Sequence, residues 1–163
     1  VDTGSLTSAS KLLTCVLMFI GGSPGSTAGG IKTTTIFILV VSLWSGITDR
    51  HKTAVFKRRF EDDAIKKAST VFTLNMFLAI FALFTILAIT DLSLSDVMFE
   101  VFSAIGTVGM TTGITRDLSS AARIIIMVLM FCGRVGSLSF ALTFLQGKKD
   151  PPVYYPEEEI SVG

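Results

Sequence analysis

The sequence is poor in charged residues, cysteine and histidine, and each shortage excludes a class of protein. Only 17% of its 163 residues are charged, whereas about a quarter are charged in a typical soluble domain. The net charge of +1 and the apolar fraction of 50% exclude a disordered chain or a basic nucleic-acid-binding tail. Two cysteines, both inside apolar runs, exclude a secreted disulfide scaffold. The one histidine, His51, lies in a charged, loop-like segment away from the apolar runs, which disfavours hydrolase chemistry. Because position 1 is valine and no signal peptide is visible, we expect a piece of a longer protein.

The longest uncharged stretch predicts a membrane span. It lies between Lys67 and Asp91, and 23 uncharged residues form a helix of about 34 Å, which exceeds a hydrocarbon core of about 30 Å. The segment Val71–Thr90 carries Phe, Leu and Ile on every face, without the polar stripe of a surface helix. We therefore predict that Val71–Thr90 crosses a bilayer.

A second apolar stretch, between Arg123 and Lys148, contains one charged residue. That residue, Arg134, lies about 16 Å into the stretch, where a bilayer makes an unpaired arginine cost several kcal/mol. The stretch predicts a span over Ala121–Leu145 with a functional arginine near the midplane. A purely structural ion pair is the alternative role for Arg134.

The third apolar stretch is broken by glycine. Residues 21–30 contain five glycines and one proline, a composition that cannot continue a helix. The sequence therefore predicts two half-spans, Leu12–Ile20 and Thr33–Trp44, joined by an intramembrane loop. Discontinuous crossings of this kind occur where membrane proteins handle ions or substrates. Close packing between helices is the alternative reason for the glycines.

Basic residues predict the orientation. The segment Asp49–Lys67 holds seven of the fourteen Lys and Arg residues, so the positive-inside rule makes it cytoplasmic, together with the tail that begins at Lys148. The segment Asp91–Ser120 is mainly acidic and is predicted to lie outside. These assignments predict an all-α, multi-pass membrane protein with a cytoplasmic C-terminus.

The outside segment has the pattern of a pore loop. A short helix is predicted over Leu94–Ile105, with Ser95 as its N-cap, Asp96 in its first turn and Gly106 at its end. A run of threonines and glycines follows, and backbone carbonyls in such a loop can replace the hydration shell of a cation. The predicted ion-binding residues are Thr107, Val108, Gly109 and Met110.

Glu100 falls midway along this predicted pore helix. It either accepts hydrogen bonds that support the loop or attracts cations from outside, and the sequence leaves both roles open. Span, pore helix, loop and span together form one M1-P-M2 repeat, the building unit of potassium channels. The preceding half-spans fit the second membrane helix of another repeat.

Three motifs resemble a known family. They are MFIGGSPGSTAGGIKTTT at 18–35, FSAIGTVGMTTGIT at 102–115 and MFCGRVGSLSFAL at 130–142. The chain resembles the membrane subunit of bacterial Trk/Ktr/HKT-type potassium uptake systems, most closely the KtrB type. The resemblance implies four M1-P-M2 repeats in the complete protein. This chain would supply the end of the third repeat (1–48), a basic linker (49–67), the fourth repeat (68–147) and a C-terminal tail (148–163).

The resemblance also implies roles for particular residues. Gly109 takes the fourth repeat's filter position, and the Gly-rich loop forms a gate beneath the filter, which Arg134 helps to close. Lys32 belongs either to this gate or to the membrane interface, where its side chain would snorkel. Ser137 stands where the family usually has proline. The residues assigned to the gate are Gly21, Gly22, Ser23, Gly25, Ser26, Thr27, Gly29, Gly30, Lys32 and Arg134.

The resemblance further implies potassium as the transported ion, no cofactor in this chain and no enzymatic activity. Its expected partners are the missing N-terminal repeats, a second copy in a homodimer, cytosolic nucleotide-binding subunits of the RCK/KTN type and the lipid of a bacterial cell membrane, with no nucleic acid. Two alternatives stay open. One is a secondary transporter with its substrate at the broken helix. The other is a membrane scaffold that holds a cytosolic regulator through the basic segment Arg50–Lys67.

Overall fold

The computed structural model describes residues 3–48, 54–55, 58–59 and 62–136, which form five α-helices, two short 3-10 turns and a small hairpin. The helices are α1 (Ser8–Phe19), α2 (Thr33–Ile47), α3 (Asp62–Ile89), α4 (Leu94–Gly106) and α5 (Ser120–Val135). The 3-10 turns are Thr3–Ser5 and Ile114–Arg116, and strands β1 (Ala54–Val55) and β2 (Arg58–Arg59) pair antiparallel. The rest of the basic segment, Ser137 and the C-terminal tail lie outside the described residues.

Helix α3 contains the predicted first span. It begins at Asp62, nine residues before the predicted start, and ends at Ile89. Within the described residues, Asp63–Ile89 is the one helix long and apolar enough to cross a membrane. Exposed apolar side chains cover its outer face and that of α2, where Trp44 and Ile47 are 73% and 84% exposed. Such faces are typical of helices packed against lipid or against other membrane helices.

The predicted break between the apolar segments Leu12–Ile20 and Thr33–Trp44 is present in the structure. Helix α1 ends at Phe19 and α2 begins at Thr33, and neither is long enough to cross a bilayer alone. The intervening residues 20–32, here called the break segment, fold back on themselves. Ile20 and Ile31 form an isolated parallel bridge, and the Thr33 N–H donates to the Gly22 carbonyl at 3.3 Å. The loop therefore brings the ends of the two half-helices side by side.

Helix α4 lies at the centre of the described fold and packs against α1, α3 and α5. Its side chains Val97, Phe99, Val101 and Ile105 are buried. Small residues bring the neighbouring backbones close: a Cβ on Gly106 would lie 2.6 Å from the Met18 carbonyl oxygen. Close contacts through small residues are typical of helices packed in membranes, where lipid provides no hydrophobic force between helices.

The N-terminus of α4 differs from the prediction in one detail. The helix begins at Leu94 as expected, but its N-cap is Ser93 rather than Ser95. The Ser93 hydroxyl accepts the Asp96 N–H at 3.3 Å. The reason is positional, because the capping side chain belongs to the residue immediately before the first helical one.

The end of α5 also differs from the prediction. Ala121–Leu145 was expected to form one continuous span, but the helix ends at Val135. Gly136 has φ 91° and ψ 126°, a conformation that glycine adopts readily and that does not continue a helix. Residues 137–145 of the predicted span lie outside the described residues.

Candidate functional site

The backbone reverses sharply where α4 ends. Thr107 has φ 53° and ψ 37°, the left-handed conformation, and its N–H donates to the Ala104 carbonyl at 3.1 Å. The next N–H, of Val108, donates to the Ser103 carbonyl at 3.0 Å. A threonine in this conformation costs about 1–2 kcal/mol, so the surrounding contacts must hold it there. Gly109 follows with φ 80°, and the chain turns away from the helix axis.

Residues 107–117, here called the return loop, expose peptide oxygens at this turn. In the part of the chain that the structure describes, the carbonyl oxygens of Thr107, Val108 and Gly109 accept no hydrogen bond. The Met110 carbonyl differs, because it accepts the Ser103 hydroxyl proton at 2.6 Å. Three of the four predicted ion-binding residues thus have carbonyls available to a cation. The partial negative charge at the C-terminus of α4 lies beside them.

Glu100 anchors the outer part of the return loop. Its side chain is only 5% exposed, and its carboxylate accepts hydrogen bonds from the hydroxyls of Thr111 and Thr115, the second at 3.0 Å. The two hydroxyls also lie 2.7 Å apart. Charge-assisted hydrogen bonds of this kind are stronger than neutral ones. Glu100 thus accepts hydrogen bonds from two residues of the return loop, and its two predicted roles, support of the loop and attraction of cations, stay predictions.

The break segment touches the return loop directly. The Gly29 N–H donates to the Thr107 hydroxyl oxygen at 2.9 Å. A Cβ on Gly29 would lie 2.6 Å from Thr107 Cγ2 and 2.9 Å from the Gly133 carbonyl oxygen, so there is no room for a larger residue. Gly29 therefore fills the gap between the end of α4 and α5.

Arg134 reaches the same segment from α5. Its guanidinium donates a hydrogen bond to the Thr27 carbonyl. Sequence reasoning expected these two parts of the chain to meet, and the structure brings them together. Lys32 is exposed at the N-terminus of α2. Together with Arg134, it lines a cavity of about 300 Å³.

The remaining predicted gate residues shape the break segment itself. Gly30 has φ 76°, and its Cβ position lies 3.3 Å from the Gly106 Cα, so the segment passes close beneath α4. Ser26 donates its N–H to the Ser23 carbonyl at 3.0 Å and closes the turn around Gly25. At Gly21 and Gly22, an added Cβ would overlap other atoms of the same segment. The glycines thus permit a compact loop that larger residues would open.

A cavity of about 610 Å³ lies where these elements meet. The break segment, the return loop, α4 and α5 all contribute to its wall, through Thr27, Ala28, Ser103, Thr107, Gly109, Met130 and Arg134. The wall of this cavity thus includes hydroxyl-bearing residues of the return loop, the break segment and α4, together with Arg134 of α5.

Sequence reasoning missed an ion pair between α1 and α4. Lys11 Nζ lies 2.8 Å from Asp96 Oδ1, and the Ser93 hydroxyl donates to Asp96 Oδ2 at 2.6 Å. The hydrogen bonds from Lys11 and Ser93 lower the pKa of the Asp96 carboxyl below its ordinary value. The pair fastens the end of one predicted repeat to the pore helix of the next. Its partners are 85 positions apart, so no local pattern reveals it.

Comparison with known proteins identifies the class to which this fold and site belong. Residues 1–150 match the TrkH family, described as cation transport proteins, and the chain belongs to that family. It is therefore part of a membrane transporter family and is not an enzyme.

The individual relatives are bacterial potassium uptake proteins. The chain is 34% identical over 163 residues to Ktr system potassium uptake protein B of Bacillus subtilis, and 39% identical over 166 residues to protein D of the same organism. It is 36% identical over 170 residues to the potassium/sodium uptake protein NtpJ of Enterococcus hirae. All of this chain is covered in each case, but only 36%, 36% and 38% of the respective relative. The chain thus spans little more than a third of the length of these relatives.

Proposed function

We propose that this chain forms the C-terminal part of a potassium uptake subunit in a bacterial cell membrane. Residues 68–147 would be its last M1-P-M2 repeat, and residues 1–48 would end the repeat before it. The observation that carries the proposal is the row of carbonyl oxygens at Thr107, Val108 and Gly109, beside the C-terminus of α4, that accept no hydrogen bond from the residues described by the structure. The names of the relatives support potassium as the ion.

The return loop would select the ion. Four such loops around an axis surround a dehydrated cation with peptide oxygens, and this chain would contribute one of the four. Glu100 would keep the loop in place through Thr111 and Thr115, so that the oxygens stay at a fixed spacing. Potassium would then move down its electrochemical gradient through the loop and into the cavity below.

The break segment would gate this path. It lies between the return loop and α5, and hydrogen bonds to Thr107 and from Arg134 hold it in place. The positive charge of Arg134 beside the cavity would oppose the passage of a cation. Opening would require the segment to move away from both contacts.

The filter proposal is tested by Gly109→Ser in the full-length parent protein. Gly109 has φ 80° with no atom within 4 Å of its Cβ position, so the serine fits sterically but strains the backbone that aims the carbonyls. We expect the preference for K⁺ over Na⁺ in uptake assays to fall. Gly113→Ser is the matched control, since Gly113 has φ 100° and equal space but lies beyond the three free carbonyls. Unchanged selectivity in Gly109→Ser, or an equal loss in both variants, would contradict the filter assignment.

The gate proposal is tested by Arg134→Ala. Loss of the bond to Thr27 and of the positive charge should raise K⁺ flux in proteoliposomes. Arg123→Ala is the control, because Arg123 also lies on α5 and donates to a backbone carbonyl, that of Arg116, at 2.7 Å. If Arg134→Ala leaves the flux unchanged or behaves as Arg123→Ala does, Arg134 has only a structural role.

The assembly would include partners outside this chain. The resemblance supports the missing repeats of the same subunit, a homodimer and cytosolic nucleotide-binding subunits of the RCK/KTN type. Two relatives are named as proteins of a Ktr system, and one as a potassium/sodium uptake protein. We further propose that potassium uptake by the full-length protein requires Na⁺. Uptake by the full-length protein with and without Na⁺ tests that requirement, and equal rates would reject it.

A further inference from the structure

Thr107 joins the two parts of the proposed pathway. Its backbone begins the return loop, and its hydroxyl oxygen accepts the Gly29 N–H of the break segment at 2.9 Å. No larger residue fits at position 29, because Thr107 and the Gly133 carbonyl enclose it. The contact is therefore a close-packed link between the loop that would select the ion and the segment that would block it.

Thr107 also lines the cavity of about 610 Å³. A cation that moved from the carbonyls of residues 107–109 into this cavity would pass Thr107. The Thr107 hydroxyl oxygen has two lone pairs, and the Gly29 N–H uses one of them. A cation on the other would draw electron density from the hydrogen bond and repel the partial positive charge of the N–H. In a low-dielectric membrane interior, an ion's charge acts more strongly than in water.

Arg134 adds to this effect. Its guanidinium lines the same cavity and donates to Thr27, two residues before Gly29. A cation beside Thr107 would repel the guanidinium while it repels the Gly29 N–H. Both contacts that hold the break segment would therefore weaken together.

We propose that Thr107 is a latch released by the transported ion: potassium at the inner end of the return loop displaces the Gly29 N–H from the Thr107 hydroxyl and frees the break segment. Occupancy of the selective loop would thus open the gate beneath it. This inference rests on the proposed function, and it adds that Thr107 is a positioning residue whose hydroxyl couples selection to gating. The fold itself forms this link, without any additional subunit.

The test measures the accessibility of the break segment in the full-length protein. Ile31 lies two residues after Gly29 and is fully buried, so Ile31→Cys reacts with a small thiol reagent only when the break segment leaves its packed position. The buried Cys15 and Cys132 are first replaced by alanine. The reaction rate is measured in proteoliposomes with K⁺ or with choline at equal ionic strength. We expect K⁺ to raise it about fivefold, the equilibrium effect of losing one hydrogen bond.

Variants of Thr107 separate the latch from a merely structural role. In Thr107→Val, which keeps the shape but removes the acceptor, the reaction should be fast already in choline and gain nothing from K⁺. Thr107→Ser keeps the hydroxyl and should retain the K⁺ effect. Thr85→Val removes a hydroxyl that bonds the Phe81 carbonyl within α3, and it should behave as the parent does.

Three results would overturn the proposal. They are equal rates in K⁺ and choline in the parent, an undiminished K⁺ effect in Thr107→Val, and loss of the effect in Thr107→Ser. The first needs no Thr107 variant, so the test holds even if Thr107→Val fails to fold. Potassium uptake is measured on the same preparations. Normal uptake with a K⁺-insensitive reaction rejects the latch alone, whereas absent uptake by the parent rejects the proposed function.

Discussion

Gly133 lies at the closest approach of two helices, and Gly133→Ala should separate them. A Cβ at this position would overlap the Ile105 carbonyl oxygen and lie 2.9 Å from the carbonyl carbon, whereas ordinary contacts begin at 3.4 Å. The obstacle is backbone rather than a flexible side chain, so α5 must move away from α4. Overpacking of this kind costs about 1–3 kcal/mol. The higher helix propensity of alanine offsets up to about 1 kcal/mol of this cost.

Gly46→Ala is the matched control for this prediction. Gly46 also lies inside a helix, but no atom of the described neighbouring residues lies within 4 Å of its Cβ position, so alanine should be neutral or stabilising by up to about 1 kcal/mol. The two variants should therefore differ in stability by about 1–3 kcal/mol.

The assay is thermal unfolding of the full-length protein in detergent, followed by K⁺ uptake in cells that lack other uptake systems. Gly133→Ala should unfold at a lower temperature than the parent and lose uptake, because the displacement of α5 carries the adjacent Arg134 away from Thr27. If Gly133→Ala matches Gly46→Ala in both assays, the contact between α4 and α5 is not the close one described.

Two further predictions concern the carboxylates on α4. The pKa of the Asp96 carboxyl is lower in the folded protein than its ordinary value of 3.8. The ion pair with Lys11 therefore contributes its full stabilisation above that pH, and the stabilisation disappears as the pH falls through the pKa of Asp96 in the folded protein. Asp96→Asn should thus be about 1 kcal/mol less stable than the parent at neutral pH. The difference in unfolding temperature between the two proteins should shrink at acid pH, and a difference that stays the same down to about pH 2 would contradict this prediction. Glu100→Gln replaces a charged hydrogen-bond acceptor with a neutral one, so Thr111 and Thr115 would hold the return loop less firmly. We expect the discrimination between K⁺ and Na⁺ in uptake assays to fall about tenfold. If only the apparent K⁺ affinity at low ionic strength falls, Glu100 acts as an exterior attractor instead.

The membrane-related parts of the fold could be read from composition and spacing. A bilayer fixes the length of a span and excludes charge from it, so the gap between Lys67 and Asp91 predicts the long apolar helix that the structure shows as α3. The break segment follows from five glycines and a proline in ten residues. The end of α5 was missed, although Gly136 marks it, because the absence of charge says nothing about where a helix stops.

Contacts between distant parts of the chain could not be read in the same way. Gly29 and Thr107 are 78 positions apart, and their hydrogen bond depends on how α1, α4 and α5 pack. Ser103 looks like an ordinary helical residue in the sequence, yet its hydroxyl holds the Met110 carbonyl. Such pairs follow from the tertiary fold, which hydrophobic periodicity does not specify.

The most direct measurement is the location of Rb⁺, a substitute for K⁺ with a strong anomalous X-ray signal, in crystals of the full-length protein. We expect an anomalous peak in direct contact with the carbonyl oxygens of Thr107, Val108 or Gly109, with no water between ion and oxygen. Rb⁺ bound elsewhere while these oxygens stay hydrated, or turned away from any shared axis, would contradict the account.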